Sequence, residues 1–103
     1  MNILVTNDDG IGSQGIWQLA AAMQRLGNTV IVAPEKEQSA MGTSVSLSST
    51  TTIVEAPSSL EGVKAYAVGG TPSDCVIVGL RVMREQRIDL LVSGINYGPN
   101  CGR

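Results

Sequence analysis

The chain has 103 residues, a net charge of −2 and 43% hydrophobic content, the size of one small domain with a modest core. No apolar run approaches the roughly 18 residues that cross a bilayer, no basic leader precedes the first apolar run, and the scattered Lys and Arg form no basic stripe for a nucleic-acid polymer, so a soluble, cytoplasmic protein is expected. The absence of histidine removes Ser-His-Asp and Cys-His schemes and leaves carboxylate and amide chemistry with hard cations such as magnesium, manganese or calcium; Cys75 and Cys101 lack any metal-ligand spacing.

Asn2 to Thr6 is a short β-prone apolar run, the pattern of a buried central strand. Asn7-Asp8-Asp9-Gly10 follows at once and puts two adjacent carboxylates on the turn leaving that strand. Ligands of α/β sheets bind beyond the carboxyl ends of the strands, and neighbouring acids that repel each other are relieved by a cation, so a divalent metal is expected here. Ser13 is a candidate N-cap for a helix over about Gln14 to Leu26, with Ile16, Leu19, Ala20, Met23 and Leu26 on its apolar face and Gly27-Asn28 as the stop. Trp17 falls off that stripe and takes no functional role. Thr29 to Ala33 is a second buried strand, which completes a parallel, right-handed βαβ unit.

Pro34 opens a polar loop, Glu35 to Thr43, that carries Ser39, Met41 and Gly42 and is expected beside Asp8 and Asp9. Ser44 to Val54 reads as half-exposed extended structure rich in Ser and Thr, Ala56 to Ser59 as a turn, and Val63 to Val68 as another strand. Gly69-Gly70-Thr71-Pro72-Ser73-Asp74 is a helix start, with Thr71 as cap, Pro72 in the first position and Asp74 against the positive dipole end. This second helix runs to about Arg84 with Val76, Leu80 and Met83 on one face. Ile88 to Ser93 is a third buried parallel strand, leading into the Gly- and amide-rich loop Gly94-Ile95-Asn96-Tyr97-Gly98-Pro99-Asn100. The elements predict a single α/β domain over residues 1–103: a Rossmann-like parallel β-sheet with flanking helices, plus a short β-hairpin-like Ser/Thr-rich segment.

Gly10-Ile11-Gly12-Ser13-Gln14-Gly15 formally satisfies the G-x-G-x-x-G dinucleotide fingerprint, with Glu35 near the place of the ribose-binding acid. Electrostatics oppose that reading, because Asp8 and Asp9 immediately precede the first glycine, where a pyrophosphate should meet only backbone donors. At ~4 Å and an effective dielectric constant of ~20, each like-charge contact costs about 4 kcal/mol before relaxation. A bound cation reverses the sign, and the metal reading wins. Plainer roles exist for each residue taken alone: Asp8 and Asp9 as turn formers, Ser39 as a solvated loop residue, Asn96 as a turn stabiliser, Asp74 as a helix-end charge and Cys75 as a small core residue.

Four ordered motifs carry a resemblance over essentially the whole chain: Ile3-Leu4-Val5-Thr6-Asn7-Asp8-Asp9-Gly10, Val32-Ala33-Pro34 with Ser39, Gly70-Thr71-Pro72-Ser73-Asp74-Cys75, and Val92-Ser93-Gly94-Ile95-Asn96-Tyr97-Gly98-Pro99-Asn100. With them the chain resembles the front portion of the SurE family, the survival-protein-E 5′/3′-nucleotidases, whose members are longer. The resemblance implies a divalent-metal-dependent phosphohydrolase acting on nucleoside 5′- and 3′-monophosphates, with magnesium or manganese as cofactor. It implies metal ligands at Asp8, Asp9, Ser39 and Asn96 and catalytic roles for Asp8, Asp9 and Asn96. Asn7, Ser39, Thr71, Asn96 and Asn100 are the expected phosphate contacts. A homo-oligomer, dimer or tetramer, is expected as well, and the sheet is expected to continue past Arg103, leaving apolar surface and an open sheet edge on the isolated chain. The alternative is a catalytically incomplete Rossmann-like fragment that binds metal, nucleotide or a partner chain without turnover.

Overall fold

A computed structural model describes residues 1–35 and 52–95. Its elements are β1 (Asn2–Thr6), α1 (Gln14–Gln24), β2 (Asn28–Pro34), β3 (Ile53–Ala56), β4 (Lys64–Val68), α2 (Pro72–Val82) and β5 (Leu90–Ser93). The five strands form one sheet in the order β3-β4-β2-β1-β5. β1 runs parallel to β2 and to β5, and β2 runs parallel to β4. β3 is the exception: it pairs antiparallel with β4, from Ile53 opposite Val68 to Ala56 opposite Ala65. The hairpin expected of the Ser/Thr-rich segment is thus realised at its end, while residues 44–51 lie outside the described residues.

β1 lies inside the sheet, between β2 and β5, with apolar side chains on both faces. Ile3 and Val5 pack with Ile16 and Ala20 of α1 and with Ile31, Ala33 and Ala65. Leu4 points the other way, into a second cluster with Val30, Val32, Val68, Cys75, Val78 and Met83. The two helices therefore cover opposite faces of the sheet. From β1 the chain steps outward to β2 and β4, then crosses back past β1 to β5. That reversal opens a crevice beyond the carboxyl ends of β1 and β5, the position where open α/β sheets bind ligands.

Both helices begin where the caps predict. The Ser13 hydroxyl accepts from the Gly15 N–H at 3.2 Å, and Thr71 with Asp74 forms a reciprocal capping box. Each ends about two residues early: Arg25 closes α1 onto Ala22 and Met23, so Leu26 is exposed instead of extending the apolar stripe. The buried face of α2 is also rotated from the expected one. Cys75, Val78 and Met83 point into the core, whereas Leu80 lies outside and Val76 is half-buried. Gly79 explains the rotation, since a Cβ there would meet the Leu4 side chain, with Cδ1 at 2.8 Å; the helix seats its one side-chain-free position against β1. β5 departs from expectation in another way. It is parallel, as predicted, but it is an edge strand with exposed Leu90 and Leu91 rather than a buried one.

Candidate active site at the carboxyl edge of the sheet

The turn after β1 is held by Asn7. This residue is 0% exposed, and its amide closes on one partner in both directions: Nδ2 donates to the Gly10 carbonyl at 3.0 Å, and Oδ1 accepts from the Gly10 N–H at 3.1 Å. Gly10 has φ of 103°, a backbone region that side chains disfavour, which is why a glycine stands there. The intervening Asp8 and Asp9 are lifted to the rim, Asp8 exposed and Asp9 half-buried. Asn7, expected from the sequence to contact phosphate, has its amide committed to fixing the turn that presents the two acids.

Two backbone bonds draw neighbouring strand ends to this turn. The Ile11 N–H donates to the Pro34 carbonyl at 2.8 Å, tying the turn to the end of β2, where the loop bearing Ser39 begins. On the other side the Gly94 N–H donates to the Thr6 carbonyl at 2.9 Å, tying β1 to the start of the loop bearing Asn96. Ser39, Asn96 and Asn100 themselves lie outside the described residues. The two bonds were not readable in the sequence, since main-chain donors carry no residue signature. The Asn7–Gly10 lock had a signal, an Asx residue three positions ahead of a glycine.

Thr71 stands beyond the end of β4, two strands away from β1 in the sheet. Its backbone N–H, expected to donate to phosphate, donates to Asp74 Oδ2 at 2.9 Å, and its hydroxyl accepts from the Asp74 N–H at 3.2 Å. The structure thus gives Thr71 a capping role and makes Asp74 the helix-end charge expected of it. Cys75 is fully buried, and burial pushes its thiol from 9.0 up to about 12, tempered by the Thr6 hydroxyl. That hydroxyl has no hydrogen-bond partner of good geometry, so its contact with the thiol is weak. Cys75 is a core residue and no nucleophile.

Charge is distributed unequally between the two ends of the sheet. Asp8, Asp9, Glu35 and Asp74 stand at the carboxyl edge; Arg25, Lys64, Arg81, Arg84 and Arg87 stand at or after helix ends or at or before strand starts on the amino edge, interspersed there with Glu61, Glu85 and Asp89. Among the described residues the carboxyl edge carries acids and no Lys or Arg; Lys36 lies outside them. An anion approaching that rim meets repulsion unless a cation comes with it. The donor chemistry fits a hard divalent ion, because every candidate there ligates through oxygen. Among the described residues no third His, Cys, Asp or Glu joins the pair.

Residues 3–103 match the family described as Survival protein SurE. A 5′-nucleotidase SurE of Dehalococcoides mccartyi is 47% identical over 102 residues, which is 99% of this chain and 38% of that protein. The 5′-nucleotidase SurE of Pelobacter propionicus is 46% identical over 102 residues, covering 99% of this chain and 39% of the relative. The crystal structure of the SurE protein from Aquifex aeolicus superposes with a TM-score of 0.77 at 37% identity, over 97% of this chain and 39% of that one. The chain therefore spans about two fifths of the length of these relatives. Across that span, the ordered motifs, the strand order and the two flanking helices place this chain in the SurE family.

Proposed function

We propose that this chain, as one α/β unit of the longer family fold, carries the metal-binding part of a phosphohydrolase that removes phosphate from nucleoside 5′-monophosphates, and from 3′-monophosphates as well. The observation that carries the reading is the Asp8-Asp9 turn, locked by Asn7 and tied by Ile11 and Gly94 to the starts of the two loops that hold Ser39 and Asn96. Support for the substrate class comes from the names of the relatives, 5′-nucleotidases, at 46–47% identity.

Asp8, Asp9, Ser39 and Asn96 are the residues to hold magnesium or manganese. Bound there, a divalent ion supplies positive charge against the negative charge that grows on the phosphate oxygens. The protein's own work is positional. Asp8 and Asp9 orient the attacking water and one of them, Asp8 as the more central, takes its proton. Asn7 keeps both carboxylates at the rim, and Asn100 and Ser39 contact the phosphate.

The test is phosphate release from a nucleoside monophosphate with magnesium or manganese. Asp8→Asn and Asp9→Asn should each lower it about 100-fold or more, the loss expected when several kcal/mol of transition-state charge stabilisation go with the ion. The ions should also raise the melting temperature of the wild type and leave Asp8→Asn unmoved. Release no higher than in the double Asn variant would leave a metal- or nucleotide-binding unit without turnover.

A further inference from the structure

β5 is weakly held by its side chains. Unlike β1, β2 and β4 it has no buried residue, and of its members Val92 packs against the core under α1. The apolar pattern also leaves its register open. Leu90, Leu91 and Val92 follow one another, so a slip by one position exchanges one apolar side chain for another on either face.

Polar contacts at the amino end remove that freedom. The Asp89 N–H donates to the Asn2 carbonyl at 2.8 Å, and Asp89 Oδ2 accepts from the Asn2 N–H at 2.7 Å. Asn2 Nδ2 donates to the Arg87 carbonyl at 2.9 Å. Asn2 Oδ1 accepts from Asn28 Nδ2 at 3.2 Å, and the same Nδ2 donates to Gln86 Oε1 at 3.2 Å. A one-residue slip carries Asp89 about 3.3 Å along β1, too far to keep either of its bonds to Asn2.

The consequence falls at the other end of the strand. Asn96 follows Ser93 by three residues. A hard divalent ion takes its oxygen ligands at about 2.0–2.6 Å, so a displacement of about 3.3 Å along β5 separates Asn96 from an ion held by Asp8 and Asp9. Asp89 itself lies a strand length from the acidic turn, about 13 Å, and touches neither ion nor substrate.

We propose that Asp89, with Asn2, is a positioning residue for the ion site: it pins β5 in register with β1 and thereby sets where Asn96 stands. The proposal rests on the phosphohydrolase reading for its ion ligands.

Amide hydrogen exchange of the full chain without ions reads the pin, and calorimetric titration with manganese reads the site. Asp89→Ala should speed exchange of the β5 amides about tenfold or more, the loss of a hydrogen bond to a charged group, while β2 amides change much less. Manganese binding should weaken about threefold or more as the fraction of molecules in the binding register falls. Asp89→Asn keeps an acceptor oxygen in place and should stay within about twofold of the wild type in both measurements. A mere effect of the carboxylate charge on the ion would make Asp89→Asn as weak as Asp89→Ala, and that result overturns the proposal. Unchanged β5 exchange in Asp89→Ala, or equal losses in β5 and β2, overturns the pin. Faster β5 exchange with unchanged manganese affinity overturns its role at the site. A wild type that binds no manganese overturns the phosphohydrolase reading instead, and the exchange measurements still decide the pin.

Discussion

Asn7 shows how a single buried amide fixes the shape of a turn. Its side chain bridges the turn between the end of β1 and Gly10, and it satisfies one backbone donor and one acceptor at once. Asn7→Ala leaves the buried Gly10 N–H without its partner, while the Gly10 carbonyl keeps the Ser13 N–H at 3.1 Å, a loss of about 1–3 kcal/mol. Urea unfolding should read this as a lower midpoint at unchanged slope. Cys75 makes the opposite kind of contribution. Its thiol titrates near 12 in the fold and at 9.0 when free, so the folded state holds the proton more tightly. The associated stability is complete below pH 9 and is lost as pH rises toward 12. Melting of the wild type should therefore fall more steeply across that window than melting of Cys75→Ala, and equal slopes would contradict the assignment.

Among the elements, α2 is the one whose packing was least readable from sequence. Apolar residues lie all around it, at Val76, Ile77, Val78, Leu80, Val82 and Met83, so helical spacing alone admits several faces. Gly79 decides, because only that position lets the helix approach Leu4. Gly79→Ala sets two effects against each other. The helix gains about 1 kcal/mol of propensity, whereas overpacking against a β1 side chain costs about 1–3 kcal/mol. Leu4 is itself fully buried and has little room to move, so overpacking prevails and a net loss of up to about 2 kcal/mol is expected. For a domain of this size that lowers the melting temperature by about 4–8 °C per kcal/mol, read by circular dichroism. A higher melting temperature would mean that α2 is not pressed on β1. The strands and caps were more readable: short β-prone apolar runs marked β1, β2 and β4, and the capping box marked the start of α2 within a residue.

At the scale of the whole molecule, one flank of the sheet is left apolar. α2 packs over β2, β1 and β4, so Leu91 of β5, which shares its face with Leu4, is 49% exposed. Ile77 and Leu80 on the outside of α2 are 52% and 54% exposed. Among the described residues no further strand pairs with the outer edge of β5, which presents main-chain donors and acceptors. Such a surface associates with whatever covers it, and self-association of the isolated chain is the expected behaviour. Leu80→Lys combined with Leu91→Lys should shift sedimentation toward the monomer while changing unfolding free energy by no more than about 0.5 kcal/mol per site. A wild-type chain that sediments as a monodisperse monomer would refute this. No helix among the described residues is long and apolar enough to cross a membrane.

The sequence by itself determined what depends on near neighbours along the chain. Two adjacent acids follow an apolar strand, caps start both helices, and one glycine-rich match is disqualified by the charges ahead of it. Only the tertiary structure decided what depends on distant segments meeting. An apolar run looks alike at the centre and at the edge of a sheet, so β5 was expected to be buried and is an edge. The face of α2 depended on the room beside Leu4. The bonds from Ile11 to Pro34 and from Gly94 to Thr6 join main-chain atoms far apart in sequence. They gather three strand ends around one acidic turn, and no residue type encodes them, because every residue but proline offers the same donor.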